Sequence, residues 1–363
     1  MSEQIDSTKP NATARVGEID LLRFCAAFMV VLFHYAFRGY AADGYSTMPY
    51  PLLAGAAKYG YLGVDLFFLI SGFVILMTAS SGSLKKFFIS RVIRLYPAFW
   101  VCCTLTFLAI LILDNGRFTT STSRYLVNMT MLNEFMNIRS VDGVYWSLAV
   151  EIKFYVMVAL LLLFRQIKRA QMFLGLWLAA TIMLDIFPED HLRSMFVTGY
   201  SPYFIAGAIG FLIYSSGISM VRLTLFSTSW LVALRHAMMS IPASSSRYHE
   251  YFDPIIVGGL MTFFFALILL VATKKTSALA KINWTNLGAL TYPLYLVHQV
   301  FGYLIFNKLY PLVNPHLLFS GTILLMILIA YFVHSQVEQR YSRRLKTLLE
   351  KALTELRPSA KPI

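Results

Sequence analysis

Long apolar runs, broken at intervals by short polar stretches, fill the chain from about residue 19 to residue 334. A membrane-crossing helix needs about 20 mostly apolar residues. By that measure spans fall near 19–38, 60–79, 95–113, 144–164, 171–187, 196–214, 255–272, 284–307 and 316–334. A tenth, weaker segment, LTLFSTSWLVALRHAMMS, covers about 223–240. No polar linker is long enough to separate domains. The pattern predicts an all-α fold: a polytopic transmembrane helical bundle of about ten spans. It divides the chain into a polar N-terminal tail over 1–18, one bundle domain over 19–335 and a basic amphipathic tail over 336–363.

Composition agrees with lipid as the solvent. Of 363 residues, 58% are hydrophobic and 13% charged, against about 25% charged in a soluble chain, and the mean hydropathy is +0.63. That much apolar surface exceeds what one core hides, so the lipid bilayer is the first partner expected. No cleavable signal peptide is expected, since the first 18 residues are polar and no small-residue cleavage site follows the first apolar run. The cysteines, Cys25, Cys102 and Cys103, all lie in apolar runs and read as small buried hydrophobes.

The net charge of +13 changes meaning once it is placed. Lys and Arg concentrate on the cytoplasmic side of membrane proteins. With ten spans and a cytoplasmic N-terminus, 20 of the 31 basic residues fall inside. If 223–240 did not cross, the Lys274–Lys275 pair and the basic tail would move outside, against the rule. Ten spans with both termini cytoplasmic is therefore the expected topology, and nucleic acid drops out as a partner. The tail QVEQRYSRRLKTLLEKALTEL is expected to lie on the inner leaflet. The polar stretch 114–143 is expected as the longest outer loop.

Ionisable residues inside spans are functional candidates by default. In DLLRFCAAFMVVLFHYAF, Arg23 and His34 are eleven residues apart. At 100° per residue they leave one helix face, separated by about 16 Å along the axis. Arg23 then sits toward the cytoplasmic surface, where a snorkelling anchor is an equal reading, and His34 in the outer half. Asp65, Glu151 and His298 are expected at a depth similar to His34. A carboxylate beside His34 would orient its ring as a general base. The possible ligands come singly from separate helices, without an HxxH, HExxH or CxxC pair, so no metal is expected. On the inner side, KKFFISRVIRLYP puts Arg91 and Arg94 one turn apart beside Pro97, taken to fix the start of the third span. With Arg23 they form an arginine cluster suited to a polyanion, because guanidinium forks match phosphate oxygens. Ser71, in LISGF, is read as a packing residue with no base in its neighbourhood.

An arginine cluster inside and a histidine with carboxylates further out suit a ligand with a phosphorylated head and a long reactive arm. Acyl-CoA has that shape. The same residues carry a resemblance. From about 17 to 335 the chain resembles the integral-membrane acyltransferase-3 family through EIDLLRFCAAFMVVLFH (R-x10-H), YLGVDLFFLISGFVI, RVIRLYPAFW (RxxR), VYWSLAVEIKFY, YFIAGAIGFL and LGALTYPLYLVH, in that order. The resemblance implies transfer of an acetyl, sometimes succinyl, group from acyl-CoA to a hydroxyl of a bacterial surface sugar, at the inner membrane. It implies a critical histidine at His34, critical arginines at Arg23, Arg91 and Arg94, and the family's acidic residue at Glu151. Two departures stand out. A short basic tail stands after the last span where some relatives carry a fused hydrolase-like domain, so any second catalytic module is expected to be separate or absent, and the segment from 227 to 252 is less apolar than in the family.

On this reading His34 removes the acceptor proton, with Asp65 or Glu151 holding the imidazole; an acyl-histidine intermediate is the open alternative. Tyr145, Trp146 and Tyr155 are expected near the outer mouth as a sugar-stacking face or hydroxyl donors, with the interfacial aromatic belt as the competing explanation, and His298 as a further acceptor contact. A proton-coupled polysaccharide exporter and an inactive structural partner are the rival functions. The first lacks an internal repeat and leaves the RxxR cluster without a task. The second leaves the R-x10-H and RxxR residues without one.

Overall fold

A computed structural model of the protein describes residues 16–355. Most of the N-terminal tail expected over 1–18, residues 1–15, and the last residues of the C-terminal tail, 356–363, lie outside them. Among the described residues the fold is helical, with no strand. Ten long helices follow the apolar pattern: α1 Gly17–Ala41, α2 Pro51–Ala79, α3 Leu84–Leu113, α4 Gly143–Leu163, α5 Ile167–Ile186, α6 Ser201–Ser216, α7 Met220–Tyr248, α8 Pro254–Ala272, α9 Thr285–Leu309 and α10 Pro315–Phe332. A π-turn, Val333–Glu338, leads from α10 into a tail helix, α11 Gln339–Glu355. Eight helices are long and apolar enough to cross a membrane, α10 being counted with its continuation. The chain is thus a multi-pass membrane protein, with side chains such as Ile112, Leu160, Ile255 and Leu328 exposed on its outer face.

The other two helices, α6 and α7, depart from that standard for different reasons. α6 has 16 residues and spans about 24 Å, short of the roughly 30 Å hydrocarbon core. It is buried against α2, where Gly72 approaches the Phe204 carbonyl and Gly207 the Leu69 carbonyl; any side chain at either glycine would strike backbone. Such small-residue contacts let helices close on each other without a hydrophobic drive between them. α7 is polar for a span, yet its 29 residues reach about 43 Å.

Contacts at the two ends of the bundle decide where α7 runs. At one end Thr276 donates to Glu18 at 2.9 Å, and Lys274 sits over the Tyr214 ring near the end of α6. At the other, Arg247 pairs with Asp43 at 3.4 Å and Lys58 with Glu250 at 3.4 Å. α7 starts beside the first group and finishes in the second, so it runs the length of the bundle. Lys274 therefore shares an end with the start of α1, as the ten-span count requires.

Three expectations change. The segment 114–143 is not a simple outer loop. Its short helix Thr122–Asn128 folds back along α3, where the Phe107 and Tyr125 rings stack at 4.4 Å. Trp100 Nε1 donates to the Met129 carbonyl at 2.9 Å and the Tyr96 hydroxyl to that of Thr130 at 2.9 Å. Thr130 thus lies some 25 Å down α3 from its end, counting 17 residues at the helical rise, and α4 begins from there. Pro97 does not start a helix but lies inside α3. A proline inside a helix leaves the carbonyl four residues earlier without its amide partner; that carbonyl, Ile93 O, accepts from the Ser342 hydroxyl of α11 at 3.3 Å. α11 docks there, and Lys85 Nζ donates to the Glu350 carbonyl at 3.2 Å. Of the cysteines, Cys102 and Cys103 are buried but Cys25 is exposed, because it faces away from α1's packed side.

Candidate functional site

α1 begins in the arginine cluster and ends in a histidine pair. His34 opens a π-turn, His34–Arg38, a local widening that often accompanies functional positions. His34 Nδ1 lies 2.8 Å from the Val30 carbonyl and 3.1 Å from His298 Nε2. His298 Nδ1 lies 2.8 Å from the Tyr295 carbonyl. A carbonyl only accepts, so both Nδ1 atoms carry the proton and His298 Nε2 accepts. Arg38, which only donates, has Nη1 3.4 Å from His34 Nε2. Each constraint gives His34 the same tautomer, with its basic lone pair on Nε2. Arg38 is itself held by Asp43 at 2.7 Å.

The 114–143 segment fixes this pair from behind. The Asp142 carboxylate accepts from the Val300 amide at 3.0 Å, and the Tyr145 hydroxyl donates to the Leu296 carbonyl at 3.3 Å. An ideal helix would pair that amide with that carbonyl. The two side chains thus grip α9 on either side of His298, while the Tyr35 hydroxyl donates to the His298 carbonyl at 2.6 Å.

The arginines occupy the opposite end. Arg91 Nη2 donates to Thr78 Oγ1 at 3.2 Å and Ser90 Oγ at 3.0 Å, while its buried Nε has no partner among the described residues. Its guanidinium lies 5.7 Å over the Tyr155 ring. Arg94 lies 5.7 Å over the Tyr292 ring and 4.0 Å from Glu338. Positive charge is thus concentrated where one buried donor, Arg91 Nε, has no acceptor among the described residues.

Three cavities lie in succession between the ends, neighbouring ones sharing lining residues. One of about 410 Å³ is lined by Arg23, Arg91, Arg94, Asp20 and Glu338. A neck of about 80 Å³ shares those three arginines and adds Ser71, Glu151 and Tyr155. A third, of about 660 Å³, shares Val64 and Tyr295 with the neck and contains His34, Arg38, Asp65 and Trp146.

The expected site residues therefore divide. His34 and His298 meet directly, and Asp65 and Trp146 line the same cavity as His34. Glu151 does not reach His34. It lies in the neck with the arginines and accepts from the Ser71 hydroxyl at 2.5 Å, so Ser71 does have a carboxylate beside it. His34's imidazole is held by His298 and the Val30 carbonyl rather than by Asp65 or Glu151. Tyr155 lies at the arginine end, not the outer mouth. Tyr145 is buried against Phe99, with ring centroids 5.0 Å apart. Arg38 and Asp142 are additions of the structure. The only sequence signal for Arg38 is its i+4 spacing from His34; Asp142 carries none beyond its place before VYWSL.

An acyltransferase-domain family model matches residues 16–335. The chain belongs to the acyltransferase-3 family, and the protein is a multi-pass membrane acyltransferase. It is similar to a protein named as an acetyltransferase from Acidianus two-tailed virus, 24% identical over 66% of this chain and 72% of the viral one. It is also similar to Nodulation protein 10 of Rhizobium leguminosarum bv. viciae, 31% identical over 42% of this chain and 46% of that protein. No solved structure matches.

Proposed function

We propose that the protein transfers an acyl group, acetyl in the first instance, from cytoplasmic acyl-CoA to a hydroxyl of a surface or exopolysaccharide sugar at the bacterial inner membrane. The observation that supports this most is the succession of three cavities with shared walls, from an arginine cluster through a small middle cavity to a histidine whose lone pair is defined. The arginines suit the nucleotide phosphates. The neck admits a thin chain such as the pantetheine arm, and the roughly 16 Å between Arg23 and His34 lies within such an arm's reach. The name of the viral relative favours acetyl.

In this mechanism His34 Nε2 accepts the proton of the acceptor hydroxyl as its oxygen forms the new ester bond to the thioester carbonyl carbon. His298 Nε2 accepts from His34 Nδ1–H and steadies the imidazolium. Arg38, released from the Nε2 lone pair, donates to the negative charge developing on the carbonyl oxygen. When the carbon–sulfur bond breaks, the imidazolium returns the proton to the leaving thiolate. Glu151, beside Ser71 in the neck, contacts the arm.

The test is a strain lacking the protein, complemented with wild type or His34→Ala at equal membrane levels. Proton NMR of the isolated polysaccharide should show an alkali-labile ester with wild type and none with the variant, at equal polymer yield. An ester unchanged throughout, with yield collapsing in the absence of the protein, would instead support the exporter reading.

A further inference from the structure

The polar character of α7 is unexplained by crossing a membrane and unused by the chemistry above. Its polar residues His236, Ser240, Ser244 and Arg247 line the His34 cavity. Their spacings of four, four and three put them on one helix face. α7 is thus polar because that face forms a cavity wall.

His236 is the best-defined group on that wall. Its Nε2 lies 2.6 Å from Asp185 Oδ2 on α5, so Nε2 carries the proton and Nδ1 is left as an acceptor. Nδ1 is buried and has no partner among the described residues. A buried polar atom without a partner is left with its desolvation uncompensated, and a donor from a ligand removes that penalty. The same cavity carries Trp146 and Tyr200, their rings 5.4 Å apart. Aromatic faces and hydrogen-bonding side chains in one cavity fit a sugar ring, which has an apolar C–H face and a hydroxyl edge. Arg38 and Arg247 both pair with Asp43, and Asp185 is shared by Arg193, Arg235 and His236. Four arginines thus share two carboxylates, so charge on this side sets no preference for a neutral over an acidic sugar.

We infer that the α7 face is the acceptor site of the proposed reaction, and that His236, oriented by Asp185, accepts a hydrogen bond from a hydroxyl of a sugar unit other than the one acylated. The inference rests on the acyltransferase reading above and adds which wall reads the acceptor and which residue on it does so.

The experiment uses the full chain and two readouts: polysaccharide ester content by proton NMR in the complemented strain, and stabilisation of the detergent-purified protein by acetyl-CoA, which reports the arginine end. His236→Ala should lower ester content at least tenfold with acetyl-CoA stabilisation unchanged. Arg235→Ala, which removes a different Asp185 contact, should leave both near wild type. Ser240→Phe, which fills the wall without touching the dyad, should reproduce the His236→Ala loss and covers the case in which His236→Ala does not fold. Full ester content in either His236→Ala or Ser240→Phe overturns the inference, as does an equal loss in Arg235→Ala, which reduces the dyad to a tie between α5 and α7. If wild type itself adds no ester, the acyltransferase reading fails first.

Discussion

The two ends of the cavity series are built on opposite principles. At the histidine end, neighbours hold each group in one arrangement: His34 by Val30 and His298, His298 by Tyr295, and Arg38 by Asp43. At the arginine end, guanidiniums rest on aromatic faces, a few hydroxyls and the Glu338 carboxylate, with Arg91 Nε buried and without a partner among the described residues. One end holds its reacting groups in place, as a reacting centre must for its geometry to favour a transition state. The other keeps donors free for a phosphorylated ligand. Damage at the first should fall on turnover, and damage at the second on donor affinity.

The sharpest test of that contrast is His34→Ala. Loss of the general base should lower kcat by about 10²–10⁴-fold and leave acetyl-CoA affinity unchanged in a binding titration. Arg38→Ala follows, with kcat expected to fall about 10²–10³-fold as a donor to the developing oxyanion is lost, again at constant donor affinity. Arg23→Ala belongs to the other end. Removing a charged hydrogen bond of about 1.5–3 kcal/mol should raise the donor KM roughly 10- to 100-fold, with kcat little changed. The smallest effect is Glu338→Gln, which removes the carboxylate 4.0 Å from Arg94. A pair of this kind is worth at most about 1 kcal/mol, so donor KM should fall by no more than about fivefold. A fall in kcat for Arg23→Ala, or a loss of donor affinity for His34→Ala, would break the division between the ends.

How much of this was legible in the chain depends on what periodicity carries. Helical periodicity placed Arg23 and His34 on one face, and both line this succession of cavities. Basic-residue counting was enough to demand that 223–240 cross, and α7 runs end to end. Depth was harder to read. Glu151 was set beside His34 by counting turns from an assumed outer end of its span, but the segment before α4 folds back along α3 and lowers that start, carrying Glu151 and Tyr155 to the arginine end. Hydropathy reports where a helix lies in the sequence, not how far its neighbours have moved along the bundle axis. Arg38 escaped because it falls just past the apolar run, where a charged residue reads as an interfacial one. His236 escaped because the polarity of its helix looked like a weak span rather than a cavity wall.

The account stands on one donor site and one acceptor site being joined through the protein from opposite faces of the membrane. Sealed vesicles of both orientations, prepared from the native host with its own glycan, test this directly with radiolabelled acetyl-CoA as donor. Inverted vesicles, which expose the cytoplasmic face and the arginine end, should pass label to the glycan, and sealed right-side-out vesicles should not. Equal labelling in both orientations would contradict the account, because the donor would then be reaching His34 without passing the arginines.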